Sequence, residues 1–519
     1  MEISSMGRFK YLLVLALLAL CAWQIGLDPV RIWQGLPHMG ALLARMANPQ
    51  WDYAAQVLET LAETLSMAVA GALLGTLIGL PLAIIAARNI SPHPVLCRLT
   101  RWLLAGVRTI PHVVWAALLV TVFSIGRGAG VLALSITAAN IVAKLLSEYI
   151  ENLEGRQLDA LKGVGASWGA MVVYGVLPRI AGRVWSLLFF ALEVNVRAAT
   201  VLGLVGAGGI GQLLWRDLNF LRYDRLATLI LILFLTVAAI DGLSWLARKL
   251  QNLESPAYAF RGYKNFRAWQ WLKLALGAVV VALALGWSIS LLGISWDRFV
   301  LGLKQGSAML GRMLTPDWSY KRRMLQGLAE SMYIALFATI AGSLLAVPAA
   351  FFGAYNLWRH KAWPVANKLA VNFIRTFPPV ILAIMFFRGV GPGPLAGALA
   401  LTIYTTGVLG KLYAEIVEAV DSRGLEAIES TGATPIQVWV YGLVPRVLPD
   451  FFAASLYRLE SNVRNATIMG IVGAGGIGTW LMLNLSARYW ERVGLLLLGM
   501  IVTILLVDAI SGFMRRRLS

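Results

Sequence analysis

The stretch from Glu193 to Gly211, EVNVRAATVLGLVGAGGIG, occurs twice in this chain. Its second copy, ESNVRNATIMGIVGAGGIG, runs from Glu460 to Gly478 and is identical in 14 of 19 positions at an offset of 267 residues. The same ungapped offset aligns other segments of the two halves, among them Arg108–Pro111 with Arg375–Pro378, and Asp241 with Asp508. The chain is therefore a tandem duplication, and we expect its two halves to share one architecture.

The composition indicates a membrane protein. Of the 519 residues, 59% are hydrophobic and 14% charged, and the mean hydropathy is +0.72, whereas soluble domains are usually about 45–50% apolar. The formal net charge is +19. Such a charge would suggest nucleic-acid binding in a soluble protein, but Lys and Arg accumulate in the cytoplasmic loops of membrane proteins. We therefore expect the lipid bilayer as a partner and no nucleic acid.

Each half contains six stretches with the length and apolarity of membrane-spanning helices, which need about 20 residues. We place them near residues 11–27, 61–87, 102–123, 128–146, 184–204 and 226–246, and near 271–292, 331–352, 369–387, 395–412, 448–470 and 495–513. The expected fold is an all-α membrane protein with about 12 transmembrane helices. Because six is even, the two six-helix repeats are parallel, and a pseudo-two-fold axis along the membrane normal relates them, with the substrate path between the halves.

The repeat boundaries and the charge distribution predict the topology. We expect a first repeat over 1–250, a cytoplasmic linker over 251–270 and a second repeat over 271–519. The bias of Lys and Arg, clearest in Arg515–Arg517 and in the linker, places both termini in the cytoplasm. The first apolar segment resembles a signal peptide, but the second half has a comparable internal segment, which favours an uncleaved membrane helix.

A polar loop recurs between the fourth and fifth helices of each half. It reads LDALKGVGASWGAMVVYGVLP from Leu158 to Pro178 and LEAIESTGATPIQVWVYGLVP from Leu425 to Pro445. In both copies an acidic-Ala pair precedes a glycine, and a proline follows that glycine at a spacing of 13; these residues are Asp159, Ala160, Gly165 and Pro178, and Glu426, Ala427, Gly432 and Pro445. Glycine favours the turn conformation and proline suits the first turn of a helix. The loop therefore predicts two short helices joined by a turn, which could contact a soluble partner.

The spacing in this loop resembles the EAA loop in the permease subunits of bacterial ABC importers. Leu161 and Ile428 depart from that pattern, because they replace its second Ala. The Arg-Thr-x-Pro start of each third helix and the N-V-R-x-A-T segment before V-G-A-G-G-I-G make the chain similar to phosphonate-uptake permeases. It resembles two such subunits fused in tandem. This resemblance implies a type I importer permease in the bacterial cytoplasmic membrane, which carries phosphonate or a related phosphorus oxyanion.

The same resemblance implies the partners. The EAA-like loops are expected to dock two ABC ATPase subunits on the cytoplasmic side, and an external substrate-binding protein is expected to deliver the substrate. The sequence contains no G-x-x-x-x-G-K-[ST] phosphate-binding loop and no catalytic constellation. We therefore expect a non-enzyme subunit that binds no cofactor itself, with ATP bound and hydrolysed on separate partner subunits.

Ionisable and amide residues within the fifth helices are candidates for the translocation path. They are Glu193, Asn195 and Arg197, and Glu460, Asn462 and Arg464. A charge in a membrane helix costs about 2.5–3.5 kcal/mol on insertion scales, so it usually faces a partner or a water-filled path. The Glu and Arg of each helix are four residues apart and share one face, where they can pair with each other. Two interpretations stay open, an anion path and an internal salt bridge.

The glycine run of each repeat has two possible roles. Its residues are Gly206, Gly208, Gly209 and Gly211, and Gly473, Gly475, Gly476 and Gly478. The first copy matches the G-x-G-x-x-G dinucleotide fingerprint, but it follows a membrane helix and not a strand, so we do not expect a nucleotide there. Small residues at this place fit an external gate and close helix packing equally well. The four His residues do not repeat between the halves, and no metal site is expected.

Two alternatives to the function of a phosphonate importer permease stay open. A self-contained secondary transporter can also have parallel repeats, although it would have no reason to duplicate an EAA-like loop. An ABC importer permease for another small solute, such as methionine, is the other alternative, because methionine-uptake permeases share a similar glycine run. Within the importer interpretation, the sequence leaves phosphonate, phosphite and phosphate esters open as substrates.

Overall fold

The computed structural model describes residues 14–123, 126–153, 155–253, 282–283, 285–288, 290, 296–358, 360–376 and 378–518. The start of the predicted helix 11–27, most of the predicted linker 251–270 and most of the predicted helix 271–292 lie outside these residues. No strand occurs in the described part of the chain, which agrees with the predicted all-α class.

The helices follow one order in both repeats. The first repeat contains α1 (Val14–Gln24), α2 (Pro29–Met46), α3 (Ala54–Ala86), α4 (Pro94–Thr109), α5 (His112–Phe123), α6 (Arg127–Glu151), α7 (Gly155–Gly163), α8 (Leu177–Leu202), α9 (Ile210–Asn219) and α10 (Tyr223–Leu253). The second contains α11 (Trp296–Met313), α12 (Lys321–Gly353), α13 (Ala362–Thr376), α14 (Pro379–Val390), α15 (Pro394–Glu418), α16 (Ser422–Glu429), α17 (Val444–Ile471), α18 (Ile477–Ser486) and α19 (Trp490–Leu518). The short helices α9 and α18 after the glycine runs were not predicted.

Seven described helical segments are long and apolar enough to cross a membrane, or up to ten if three bent pairs each count as one span. The first repeat's fifth helix, within Trp168–Val205, is among the seven, whereas its counterpart α17 is not. The difference arises because Arg458, Glu460 and Arg464 crowd the centre of α17, where the first repeat has Ala191 at the position of Arg458. The count of twelve spans stays a prediction.

The third span of the first repeat differs from the straight helix predicted over 102–123. It consists of α4 and α5, which meet at a bend of 89°. Pro111 lies at the bend, and the residue before it, Ile110, has an extended backbone with φ −85° and ψ 118°. A proline disfavours helical geometry at the preceding residue and offers no N–H for the helix ladder. The Arg-Thr-x-Pro motif therefore lies between two helices, at the end of α4 and directly before the start of α5.

Small residues bring the central helices of each bundle into close contact. Helix α3 packs along α6, and α12 packs along α15. A Cβ added to Gly75 would lie 2.5 Å from the Cβ of Ala138, and one added to Gly71 would lie 2.6 Å from the Cβ of Leu134. At the matching position of the second repeat, a Cβ on Gly342 would lie 2.7 Å from a side-chain carbon of Thr405. Small residues spaced by four allow such close approach inside a membrane.

The chain forms two compact units, and each combines helices of both repeats. One unit comprises Met46–Met309, and the other comprises Met1–Arg45 with Leu310–Ser519. In the second of these units, Gly35 of α2 packs against the backbone of Gly389. In the first, Gly302 of α11, which matches Gly35 at the offset of 267, packs against Phe123. In each unit, most helices of one repeat thus pack with an amphipathic helix that belongs in sequence to the other repeat, which is α2 or α11. The predicted domain boundaries, 1–250, 251–270 and 271–519, follow the sequence duplication. They stay a prediction.

The contact between α3 and α6 generates a stability prediction. We expect Gly75→Val to lower the free energy of unfolding by about 1–3 kcal/mol, because the added methyl groups meet Ala138 and the carbonyl oxygen of Ser135. Thermal unfolding of the purified protein measures the effect. Gly106→Val in α4 is the matched control, since a Cβ at Gly106 meets no atom within 4 Å. Equal unfolding temperatures for the two variants would contradict the close packing.

Candidate functional site

The two EAA-like loops fold as the predicted elbows. In the first, α7 ends in a turn at Gly165, whose φ is +75°, and in the second α16 ends at Gly432, whose φ is +81°. L-amino acids rarely adopt this left-handed region, so each position favours glycine. After the first turn the side chain of Ser167 accepts a hydrogen bond from the backbone N–H of Ala170 and caps the next helix. We call residues 155–176 and 422–443 the first and second elbow.

The helix after each turn begins earlier than predicted. Sequence reasoning placed its start at Pro178, whereas the structure starts it at Trp168 and continues through a π-helical segment, Met171–Val176, into α8. The second elbow has the same arrangement, with the π-helical segment Val438–Leu443 before Pro445. Proline lacks an N–H and clashes with the carbonyl group four residues before it. The π-helical segment runs directly into the long helix at this proline, so each elbow is continuous with α8 or α17.

Leucine side chains attach each short helix to the π-helical segment. A Cβ on Gly175 would lie 2.9 Å from Cδ1 of Leu161 and 3.0 Å from Cδ2 of Leu158. In the second elbow a Cβ on Gly442 would lie 2.9 Å from Cδ1 of Ile428 and 3.0 Å from Cδ2 of Leu425. Leu161 and Ile428 are the positions that depart from the EAA pattern. Their larger side chains fill the space over the glycine and make each elbow a packed unit.

The outer surface of each elbow mixes apolar and charged groups. Val164 is 81% exposed in the first elbow, and Ile436 is 74% exposed in the second. Asp159 faces solvent and lies 3.7 Å from Nζ of Lys162, one turn along α7. Exposed apolar side chains at the tip of a packed element are typical of a protein interaction surface.

The charged residues of the first repeat's fifth helix form a three-residue cluster. Nη2 of Arg197 donates to Oε1 of Glu193 at 2.6 Å and to both carboxylate oxygens of Asp241 on α10 at 2.8 Å. The i,i+4 pair that the sequence allowed is therefore present. Asp241 was not predicted as part of the site, although an acidic residue that recurs as Asp508 in an apolar helix was the available signal.

The second repeat uses the equivalent residues differently. Arg464 lies 3.7 Å from the carboxylate of Asp508, and Glu460 pairs with Arg515 at 2.7 Å. Glu460 is buried, so its charge needs this partner. The aspartate thus keeps the equivalent arginine in both repeats, whereas the glutamate pairs with Arg197 of its own helix in the first repeat and with Arg515 of α19 in the second. Whether these groups line a translocation path stays a prediction.

The two asparagines of the fifth helices are fully buried and tie those helices to their neighbours. Nδ2 of Asn195 donates to the carbonyl oxygen of Ala68 on α3 at 3.4 Å. Nδ2 of Asn462 donates to the hydroxyl oxygens of Thr339 and Thr405, both at 2.9 Å. Buried polar contacts of this kind hold helices together in a bilayer.

Each glycine run forms a turn that needs the left-handed backbone. The residues with positive φ are Gly206, Gly208 and Gly209, and Gly473, Gly475 and Gly476. The next helix begins at once and is capped by a hydroxyl group of the bundle. The N–H of Ile210 donates to Oγ1 of Thr64 at 2.8 Å, and the N–H of Ile477 donates to Oγ of Ser331 at 2.9 Å.

The last glycine of each run lies where no side chain fits. A Cβ on Gly211 would lie 2.5 Å from the carbonyl oxygen of Thr200, and one on Gly478 would lie 1.9 Å from that of Thr467. Close packing therefore accounts for these glycines, and an additional gating role stays a prediction. The first run follows helix α8 and its short 3-10 turn, so the dinucleotide context is missing there.

A known protein family matches both halves of the chain. The family model for the binding-protein-dependent transport system inner membrane component matches residues 79–251 and 346–519. The chain belongs to this family. The two matches begin 267 residues apart, at the same offset as the sequence repeat. The family component is thus present twice, as the predicted fusion of two permease subunits requires, and the protein is a multi-pass membrane permease.

Three curated relatives are similar to the chain in sequence. The permease is 30% identical to the phosphate-import permease protein PhnE of Mycolicibacterium smegmatis over 96% of this chain and 92% of that protein. It is 35% identical to the phosphite transport system permease protein PtxC of Stutzerimonas stutzeri, over 40% of this chain and 76% of that protein, which is therefore about half as long. It is 45% identical to the putative cryptic phosphonate transport system permease protein PhnE2 of Escherichia coli over 23% of this chain and 97% of that protein.

The packing of the first elbow can be tested without any partner. We expect Gly175→Val to push Leu158 and Leu161 away from the π-helical segment, because its Cβ alone would approach them to about 3 Å. Hydrogen exchange over residues 155–163 should then become faster. Gly182→Val in α8 is the control, since a Cβ there meets nothing within 4 Å. Unchanged exchange in the Gly175 variant would show that the short helix is held by other contacts.

Proposed function

We propose that this permease forms the membrane path of an ATP-driven importer for phosphonate or a related phosphorus oxyanion. The observation that carries the proposal is the likeness, over 96% of the chain, to a permease named for phosphate import, together with the relatives named for phosphite and phosphonate transport. Within this class the chain supplies the path and the coupling, while ATP is bound and hydrolysed on other subunits.

The two elbows are the proposed docking sites of two ATPase subunits. Each has a turn at a left-handed glycine, an exposed apolar tip and a short helix packed on the π-helical segment. Because that segment continues into the fifth helix without a break, a push on an elbow moves α8 or α17 as one body. The charged residues of those helices lie about four to five turns further along, so they move with the elbow.

The proposed orientation follows from the elbows. If they face ATPases in the cytoplasm, both termini are cytoplasmic and the glycine runs lie toward the external side. There a substrate-binding protein would deliver the anion, and that protein would carry most of the selectivity. The duplicated elbows support this function over a self-contained secondary carrier, which has no ATPase to contact.

The fifth helices are the proposed anion-conducting elements. In the first repeat the guanidinium of Arg197 already bridges Glu193 and Asp241, so an anion would have to share it with two carboxylates. In the second repeat the contact from Arg464 to Asp508 is longer, at 3.7 Å.

The role of the elbows can be tested in the complete importer. We expect Gly165→Val combined with Gly432→Val to abolish co-purification of the ATPase and ATP-driven uptake, because a β-branched residue in the left-handed region costs at least about 1–2 kcal/mol and distorts the turn. Gly163→Val is the control, because a Cβ there meets no atom within 4 Å and its φ is not positive. Robust uptake by this chain alone in vesicles without ATP would overturn the proposal.

The role of the arginines can be tested by charge-conserving changes. We expect Arg197→Lys and Arg464→Lys to reduce uptake, because a lysine ammonium is a point charge that cannot reproduce the planar, bridging contacts of a guanidinium. Uptake and unfolding temperature should both be measured at matched permease levels, with Arg388→Lys at an exposed site as control. Lower uptake at an unchanged unfolding temperature indicates a path role. Unchanged uptake excludes a specific guanidinium role.

A further inference from the structure

Arg458 is a buried arginine whose guanidinium group is only partly satisfied. It lies on α17 and is 7% exposed. Its Nε donates to Oγ1 of Thr405 at a long 3.4 Å, and its Cζ lies 4.8 Å from the centre of the Tyr404 ring. Its Nη2 is buried with no hydrogen-bond partner among the described residues. An arginine keeps its charge in a protein and offers five N–H donors, so an unused donor here is a costly feature.

No carboxylate compensates this charge in the described part of the chain. The nearest acidic residue in sequence, Glu460, pairs with Arg515, and Asp508 faces Arg464. The charged groups with the largest electrostatic effect on Arg458 are themselves cationic, namely Arg464 and Arg375. Buried charges are usually paired, since removing an ion from water costs several kcal/mol. The site therefore has an excess of positive charge inside the bundle.

Hydroxyl groups extend the polar face on which Arg458 lies. Ser455, three residues before it on α17, lies 2.5 Å from the Tyr413 hydroxyl oxygen and accepts from Ser343 at 3.1 Å. Asn462, four residues after it, binds Thr405 and Thr339. Residues three and four apart share a helix face. One face of α17 thus places a guanidinium beside amide and hydroxyl groups that hydrogen-bond to one another, and Nη2 of Arg458 is the donor on this face without a partner among the described residues.

The first repeat lacks this face. At the offset of 267, the residues that correspond to Thr405, Tyr413, Ser455 and Arg458 are Ala138, Leu146, Leu188 and Ala191. Among these, Ala138, Leu146 and Ala191 are completely buried and contribute to an apolar core. Helix packing in this bundle therefore requires neither the arginine nor its hydroxyl neighbours. In the second repeat the hydroxyl groups join neighbouring helices, but the charge of Arg458 adds nothing that this packing needs.

We propose that the guanidinium of Arg458, held in place beside Thr405, forms an oxyanion-binding site in the second repeat that has no counterpart among the described residues of the first. The anion accepts hydrogen bonds from the guanidinium and compensates its buried charge. That the ligand is a tetrahedral phosphorus oxyanion rests on the proposed function, whereas the site itself rests on the geometry. Because Nη2 is enclosed here, the anion reaches it when the helices part, as alternating access in a transporter requires.

The test uses the complete importer in lipid nanodiscs, with and without a non-hydrolysable ATP analogue. The unfolding temperature of the permease is measured against inorganic phosphate, phosphite, methylphosphonate and sulfate, each at matched ionic strength. A ligand that binds only the folded state raises this temperature in a concentration-dependent way. We expect such a shift in the wild type with the phosphorus anions, and an affinity roughly tenfold or more weaker in Arg458→Met, because a charge-assisted hydrogen bond is lost.

Two further readouts separate binding from a structural role. Without anion, Arg458→Met should unfold at the same or a higher temperature than the wild type, because it removes an uncompensated buried charge; a lower temperature would indicate a structural arginine and overturn the proposal. Arg388→Met, at an exposed arginine of the same unit, should keep the anion shift. A wild type without any anion shift, or a shift that persists in Arg458→Met, would also overturn it. A shift with sulfate alone would leave the site standing and contradict the proposed phosphorus substrate.

Discussion

The close approach of two helices in each bundle is the constraint on which the rest of the structure depends. In the first repeat Gly71 and Gly75 bring α3 against α6, with Cβ positions that a larger residue could not occupy. Helix α3 also carries Thr64, whose hydroxyl group accepts from the first N–H of α9. A turn inside a membrane must satisfy its backbone groups within the protein. The position of the glycine turn therefore follows from the α3–α6 contact.

The duplication preserves a side-chain contact to the backbone in both repeats, whereas one glutamate carboxylate has a different partner in each. The amide of Asn89 donates to the carbonyl oxygen of Ile150 at 2.8 Å, and Asn356 makes the same bond to Val417 at 2.9 Å. Such bonds satisfy carbonyl groups at the ends of the helices, which have no partner within the helix. The carboxylates of the fifth and last helices recur too, but Glu193 pairs with Arg197 whereas Glu460 pairs with Arg515. A charged side chain can be paired by a side chain from one of several helices, whereas the position of a backbone carbonyl group is fixed by its own helix.

The structural features that depend on local residue patterns and on the repeat could be predicted from the sequence. The offset of 267, the left-handed glycines of the elbows and the pairing of Glu193 with Arg197 could all be read from spacing. The bend at Pro111 could have been read as well, because proline restricts the residue before it. The exchange of α2 and α11 between the repeats could not, since an amphipathic helix fits any apolar surface. The pairing of Glu460 with Arg515 depends on how α17 and α19 pack, and spacing within one helix does not reveal it.

The fusion of two permease units explains how Arg458 can stand in one repeat alone. A permease built from two identical subunits carries each residue twice, so a buried and uncompensated arginine in one subunit would be repeated in the other. The energetic cost of desolvation would double, and two cationic sites would compete for one anion. In a fused chain the second repeat can carry the arginine with its hydroxyl neighbours while the first keeps Ala138, Leu146 and Ala191 at the same positions. Stability and anion recognition can then be divided between the repeats, with an apolar core in one and a polar face in the other.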